Sequence, residues 1–348
     1  MSDFQYKTLG NSGLFVAPII VGCMSYGDKR WQNWVIEDED EVMKILKKCY
    51  DSGLRTFDTA DVYSNGKSEI LLRKFIEKYN IPRNRIQILS KCHFPCEEHD
   101  PGYNHTRSKD LPSYEMVNAQ GLSRKHIIEA VEGSVRRLGT YIDVLQIHRL
   151  DKNTPKREIM RSLNDVVEKG FTRYIGASAM KAVEFAELQY IAELHGWHKF
   201  ISMQSYYNLL HREDERELNF FCLNNGLGKV GLIPYSPIAK GLLARPSGKE
   251  SENGRTAEND AARAYVQLDN LSVADVTIIN RVEELSNKYN VSMAVIATSW
   301  SIHKGCHPIV GLNSIKRVDD IVQAIHFKLS DEDIAYLEEP YKPKKQTM

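Results

Sequence analysis

The sequence lacks an excess of either charge. Lysine plus arginine and aspartate plus glutamate each total 46 among 348 residues, a formal net charge of zero. A chain so balanced has no electrostatic footprint for nucleic acid or for an anionic membrane surface. Long hydrophobic runs are missing as well, since none approaches the roughly 20 apolar residues of a membrane helix. The opening residues Met1-Ser2-Asp3-Phe4 carry no basic stretch followed by an apolar run, so no signal peptide is expected. Cysteine is scarce, six in all and scattered, which fits reduced thiols in a cytoplasmic protein better than a disulfide framework. Cys92, Cys96, His99 and His105 stand close together, but their spacing fits no zinc-finger pattern and no metal is expected. No Pro/Ser-rich linker or low-complexity block divides the chain. Its length suits one closed α/β barrel, so residues 1–348 read as a single domain.

What is present is a short apolar strand followed by a helical pattern, repeated. The strands read as Phe15–Cys23, Arg55–Thr59, Ile86–Lys91, Asp143–His148, Arg173–Ser178, Phe200–Ser205, Val230–Ser236 and Pro308–Leu312. Helix punctuation lies between them. Val42, Ile45, Leu46 and Cys49 follow a period near 3.6 before Gly53. Ser123 caps a helix that Gly139 stops, Thr154-Pro155 opens one closed by Gly170, and Ser330 with Asp333 forms a capping box. Eight short apolar strands separated by helices predict a parallel (β/α) barrel. The segment Phe4–Val16, with Gly10-Asn11-Ser12-Gly13 inside it, predicts a hairpin before the first strand. Two long connections, about 94–122 and 243–271, follow strand ends and predict lids or substrate walls on the carboxyl face.

Polar residues at the carboxyl ends of barrel strands converge on one site. Here those positions give Asp58, Lys91 and His148 after strands two, three and four, with Tyr63 on the loop beyond Asp58. Asp and Lys are rarely buried unless paired, and neighbours on adjacent strands can pair. Together the four residues suit carbonyl reduction, which needs a proton for the developing alkoxide. A lysine cation beside Tyr63 is expected to lower the phenol pKa from its usual value near 10. Asp58 would hold Lys91, and His148 would orient the carbonyl oxygen. A decoy also appears: Gly226-Leu227-Gly228-Lys229-Val230-Gly231 matches G-x-G-x-x-G, but it ends a helical stretch and enters a strand. A dinucleotide fingerprint must do the reverse, so a Rossmann reading is rejected.

These residues resemble the aldo-keto reductase superfamily, nearest its fungal aryl-alcohol dehydrogenase-like branch. Leu9-Gly10-Asn11-Ser12-Gly13-Leu14 resembles the opening hairpin, and Phe57-Asp58-Thr59-Ala60-Asp61-Val62-Tyr63 the signature with the catalytic Asp and Tyr. Ser90-Lys91 and Gln146-Ile147-His148 are similar to the motifs carrying the Lys and His. The branch is suggested by Ile147-His148-Arg149-Leu150-Asp151 and Pro234-Tyr235-Ser236-Pro237. The resemblance implies a nicotinamide cofactor, NADPH in preference to NADH, bound without a Rossmann domain. Ser178 and Gln204 would hold the carboxamide and Tyr235 would stack on the ring. Ser236, Pro237, Ile238, Lys240 and Gly241 would wrap the pyrophosphate. Gly311, Asn313, Ser314, Arg317 and Asp320 would hold the adenosine end, with Arg317 suited to a 2′-phosphate. Gly22, Met24 and Asp58 complete the implied cofactor set. Two positions depart from the family pattern: Ala179 and Ile321 each stand where Asn is common.

Met24, Tyr26, Trp31, Trp34, Phe94 and Tyr207 lie near strand ends and are candidates for lining the carbonyl pocket, which suits a bulky or aromatic aldehyde. A different class of function is a cofactor-sensing regulatory subunit resembling the potassium channel β-subunits. Against it, little sequence precedes the hairpin. A metal-dependent hydrolase lacks the convergent His/carboxylate cluster it would need.

Overall fold

The first strand expected from the sequence is cut in two by Pro18, which cannot continue a ladder. In the computed structural model, which describes residues 5–104, 113–249 and 270–345, the part before the proline joins the hairpin and the part after it joins the barrel. β1 (Lys7–Thr8) and β2 (Phe15–Val16) pair antiparallel, Lys7 opposite Val16. Met1–Phe4, His105 and most of the stretch 243–271 expected as a lid lie outside the described residues.

Eight parallel strands follow. They are β3 (Ile20–Gly22), β4 (Thr56–Asp58), β5 (Gln87–Cys92), β6 (Ile142–Ile147), β7 (Thr172–Ser178), β8 (Phe200–Gln204), β9 (Gly231–Leu232) and β10 (Ile309–Gly311). Their spatial order is β10-β3-β4-β5-β6-β7-β8-β9. The sheet curls until its edges meet: Tyr235 bridges Ile309 in parallel, and the Ile309 amide donates to the Pro234 carbonyl at 2.8 Å. All eight strands of the expected barrel are thus present, but β9, the seventh of them, is shorter than Val230–Ser236, because Pro234 has no amide to give the ladder.

Helices on the outside are stopped and started by the residues that the sequence pattern picks out. Ser123 accepts from the His126 amide at 3.2 Å to open Arg124–Leu138, and Gly139 closes it at φ 66°. Ser330 and Asp333 form the reciprocal capping box of Asp331–Glu338. The core has two layers. Leu9, Val16, Ile20, Leu89, Val144, Ile233 and Ile309 fill the barrel interior, so the hairpin plugs its amino-terminal end. Gly10 is obligatory in that plug: a Cβ would fall 2.5 Å from the Ile201 carbonyl oxygen. A larger layer, including Phe57, Phe75, Ile127, Leu163 and Trp300, lies between strands and helices. With its amino-terminal end sealed, the barrel leaves the carboxyl ends of the strands as the open mouth. No helix among the described residues is long and apolar enough to cross a membrane.

Candidate active site

Alternation along each parallel strand sends every second side chain inward. At the mouth this brings Asp58 (β4), Lys91 (β5), Gln146 (β6) and Gln204 (β8) together, all buried. The Lys91 ammonium donates to an Asp58 carboxylate oxygen, to the Thr59 carbonyl at 2.8 Å and to the Tyr63 hydroxyl at 3.2 Å. The other Asp58 oxygen accepts from the Gln146 and Gln204 amides at 2.9 and 3.0 Å, and Gln204 also donates to Gln146 at 2.8 Å. Burial alone would push Lys91 toward neutrality. The Asp58 carboxylate and the Tyr63 phenol outweigh it and hold the ammonium above its ordinary pKa.

Tyr63 corrects one expectation. Its phenol is not made more acidic; its pKa is raised above the usual phenol value. Burial of the would-be phenolate is the larger effect, Lys91 opposes it, and the Asp58 carboxylate adds to the rise. The phenol therefore keeps its proton throughout the neutral range. His148 follows β6, and its ring meets the Tyr63 ring edge-on at 5.9 Å between centroids.

Four of the six pocket candidates gather around this phenol. Trp31 is tilted against Tyr63 at 6.1 Å, Trp34 meets Trp31 at 6.1 Å, and Phe94 meets His148 at 5.1 Å. Met24 packs into the same cluster. The buried indole N–H of Trp31 has no acceptor among the described residues. Tyr26 and Tyr207 are elsewhere. Both lie in the layer between strands and helices, Tyr26 bonded to the Leu312 carbonyl and Tyr207 to the Glu215 carboxylate, with Trp300 5.2 Å from the Tyr207 ring.

The candidate cofactor residues lie along the rest of the mouth. Ser178 donates to the Gln204 carbonyl at 2.8 Å, and Tyr235 is half-buried beside Tyr206 at 5.6 Å. Past Tyr235 the backbone turns left-handed repeatedly, at Ser236 (φ 54°), Ala239 (φ 47°), Lys240 (φ 54°) and Gly241 (φ 101°), with Pro237 and Ile238 between. Within the run the Ala239 amide donates to the Ser236 carbonyl and the Gly241 amide to the Ile238 carbonyl, each at 2.9 Å. Asn208, which sequence reasoning passed over, supports it by donating to the Ser236 carbonyl at 3.1 Å. Gly22 pairs with both Asp58 and Gly311, and a Cβ on it would come within 3.1 Å of Ile309. Beyond β10 come Asn313 and Ser314. Ser314 caps the helix Ile315–His326, accepting from the Arg317 amide at 3.4 Å. The Arg317 side chain is exposed on the first turn and Asp320 half-buried on the second, whereas Ile321 faces the core. Ala179 sits at φ 41°, a conformation Asn tolerates better than Ala.

Of the Cys92, Cys96, His99 and His105 group, His105 lies outside the described residues, and no group of three or more His, Cys, Asp or Glu placed to hold a metal ion occurs among the described residues. Burial raises the Cys92 and Cys96 thiols above their usual range.

Gln146 could have been found from the sequence. It stands two residues before His148, so strand alternation puts both on one face.

Known proteins are similar to the chain over nearly its whole length. Residues 18–342 match the Aldo/keto reductase family. A Schizosaccharomyces pombe protein named as an aryl-alcohol dehydrogenase is 55% identical over 350 residues, covering 99% of this chain and 97% of the relative. A Saccharomyces cerevisiae protein of the same designation is 53% identical over 97% of both chains. The versiconal hemiacetal acetate reductase of Aspergillus parasiticus is 52% identical over 98% of both.

Proposed function

The chain belongs to the aldo/keto reductase family, and we propose that it reduces bulky or aromatic aldehydes and ketones to alcohols with NADPH, Tyr63 acting as the proton donor within a single barrel domain. The observation that carries this reading is the chain of contacts from Asp58 through Lys91 to the Tyr63 hydroxyl, beneath a wall of aromatic rings.

The residues present fit a dinucleotide. The left-handed run at Ser236, Ala239, Lys240 and Gly241 suits a pyrophosphate, and the capped start of Ile315–His326 with the exposed Arg317 suits a phosphate on the adenosine. Gln204 spends its side-chain amide hydrogens on Asp58 and Gln146, which leaves its side-chain oxygen Oε1 to receive a carboxamide N–H. Ser178 and Tyr235 flank it. When bound, the nicotinamide supplies the hydride.

The protein's own residues account for the proton. An alkoxide is a far stronger base than a phenolate, so Tyr63 donates downhill although its pKa is raised rather than lowered. The phenolate left behind lies beside the Lys91 ammonium, which Asp58 keeps charged and in place. His148, whose ring lies edge-on to Tyr63, would donate to the carbonyl oxygen and set its direction. Met24, Trp31, Trp34 and Phe94 supply flat apolar surface for an aromatic substrate, and the Trp31 N–H offers a donor to a ring substituent. Incubation of the purified chain with NADPH and an aromatic aldehyde tests the reading: NADPH absorbance falls with stoichiometric alcohol formation. An unchanged absorbance, with NADPH bound, would count against it.

A further inference from the structure

Immediately after Tyr63 the chain makes a left-handed turn through Ser64 (φ 48°), Asn65 (φ 49°) and Gly66 (φ 85°). Consecutive non-glycine residues in this region are costly, and they persist only where the surroundings fix them. Here the fixing contacts lead to the two loops that carry the aromatic wall. Asn65 is 5% exposed, and its amide nitrogen donates to the Asp100 and Tyr103 carbonyls at 3.0 and 2.8 Å. Its amide oxygen accepts from the Glu97 backbone at 3.3 Å. All three partners lie on the loop after β5, which carries Phe94. Ser64 accepts from the Asp28 amide at 3.1 Å, on the loop after β3 that carries Trp31 and Trp34. That loop approaches so closely that a Cβ on Gly27 would fall 2.1 Å from the Ser64 hydroxyl. A cross-tie completes the triangle, Asn104 donating to the Trp31 carbonyl at 3.3 Å.

One turn therefore presents the phenol and anchors both walls. We propose that Asn65, assisted by Ser64, is a positioning residue that sets substrate specificity: it locks the Trp31/Trp34 loop and the Phe94 loop to the turn bearing Tyr63, and so fixes an aromatic carbonyl compound against the proton donor. The inference rests on the reductase reading above. It names no contact between Asn65 and substrate. Asn65 acts through Phe94, Trp31 and Trp34. A small aliphatic aldehyde, which needs no aromatic wall, depends on it much less.

Asn65→Gly is the direct probe, because glycine accepts φ 49° without strain while all three hydrogen bonds vanish. Two measurements are read together. Hydrogen exchange should quicken at the backbone of residues 26–36 and 97–104 and stay unchanged in β5 and β6. The ratio of kcat/KM for an aromatic aldehyde over a small aliphatic one should fall about tenfold, mostly through KM, the scale set by losing more than one hydrogen bond. Asn65→Asp guards against a folding failure, since it tolerates the same backbone and keeps the acceptor for Glu97 while deleting both donors. Ser64→Ala, which cuts only the tie to Asp28, should quicken exchange in 26–36 alone and lower the ratio less. Unchanged exchange in both loops, or equal loss of both substrates, overturns the proposal. A wild-type chain that oxidises NADPH with neither aldehyde overturns the reductase reading itself, an outcome distinct from a wild type that turns over and a variant that discriminates as well.

Discussion

The two halves of the barrel mouth are held by different means. Over β4, β5, β6 and β8, side chains hold one another: Asp58, Lys91, Gln146 and Gln204 are buried and linked by hydrogen bonds that leave both oxygens of Asp58 occupied. Over β9 and β10 the backbone does the holding, in the left-handed run Ser236 to Gly241 and the helix start after Ser314. A lattice of buried charges depends on residue identity, since removing one partner strands the other. A backbone concavity depends on conformation, and many side chains can ride on it. In the proposed function the first half handles the proton and the second holds phosphate.

This contrast predicts separable failures. The largest is Tyr63→Phe, which should lower kcat by about 10²- to 10⁴-fold, the usual weight of general acid catalysis. NADPH affinity, read by fluorescence titration, should change little; lost binding with turnover retained would erase the distinction between the halves. Gly241→Val should do the reverse. Gly241 stands at φ 101°, and a Cβ there would meet the Arg245 guanidinium at 2.9 Å. The NADPH dissociation constant should rise by at least about tenfold, as the cost of forcing a β-branched residue to positive φ implies, while kcat at saturation stays near wild type.

A smaller effect concerns pH. Because the Tyr63 pKa is raised, the rate of reduction should be flat through neutrality and decline only above about pH 10, the phenol's ordinary range. Lys91 is the charge that pulls this pKa down, so Lys91→Met should move the alkaline limb upward. A limb at neutral pH would mean that burial does not dominate. The smallest expected effect is on stability. Asp61 is buried, its Oδ2 has no partner among the described residues, and burial followed by the nearby Glu69 raises its carboxyl well above the usual range. Arg137 and Lys91 pull the other way but do not prevail. In the unfolded chain Asp61 ionises from about pH 4 upward, while in the folded chain burial makes it hold its proton to higher pH. Stability is therefore lost as pH rises from the unfolded value toward the raised folded one. Asp61→Asn removes that loss, so urea unfolding should show its advantage over wild type growing as pH rises above about 4, the unfolded carboxyl's range. A constant difference would contradict the assignment.

The same contrast explains what could be read in the sequence. Asp58, Tyr63, Lys91 and His148 stand out because charged and phenolic residues at strand ends are unusual there. The β/α alternation is legible from apolar runs and caps, and only its edges move, where Pro18 and Pro234 interrupt the ladders. Asn65 has no such signature, and Gln146 is marked only by its alternation with His148. Their roles come from partners distant in the chain, 88 residues away for Gln146 and Asp58 and 38 for Asn65 and Tyr103. Tyr26 and Tyr207 show the complementary failure. Being aromatic near a strand end does not say which side of the sheet a ring faces, and theirs face the helices. The sign of the Tyr63 shift was hidden for a related reason: proximity of a lysine can be guessed from strand ends, but the depth of burial that outweighs it needs the packed loops.

The central claim is that Tyr63 and Lys91 work as one proton-donating unit. A double-mutant cycle on kcat/KM with an aromatic aldehyde tests it most directly, using Tyr63→Phe, Lys91→Met and both together. Groups that act as a unit give strongly non-additive losses. The double variant should be about as slow as Tyr63→Phe alone. Losses that multiply, as for two independent residues, would contradict it.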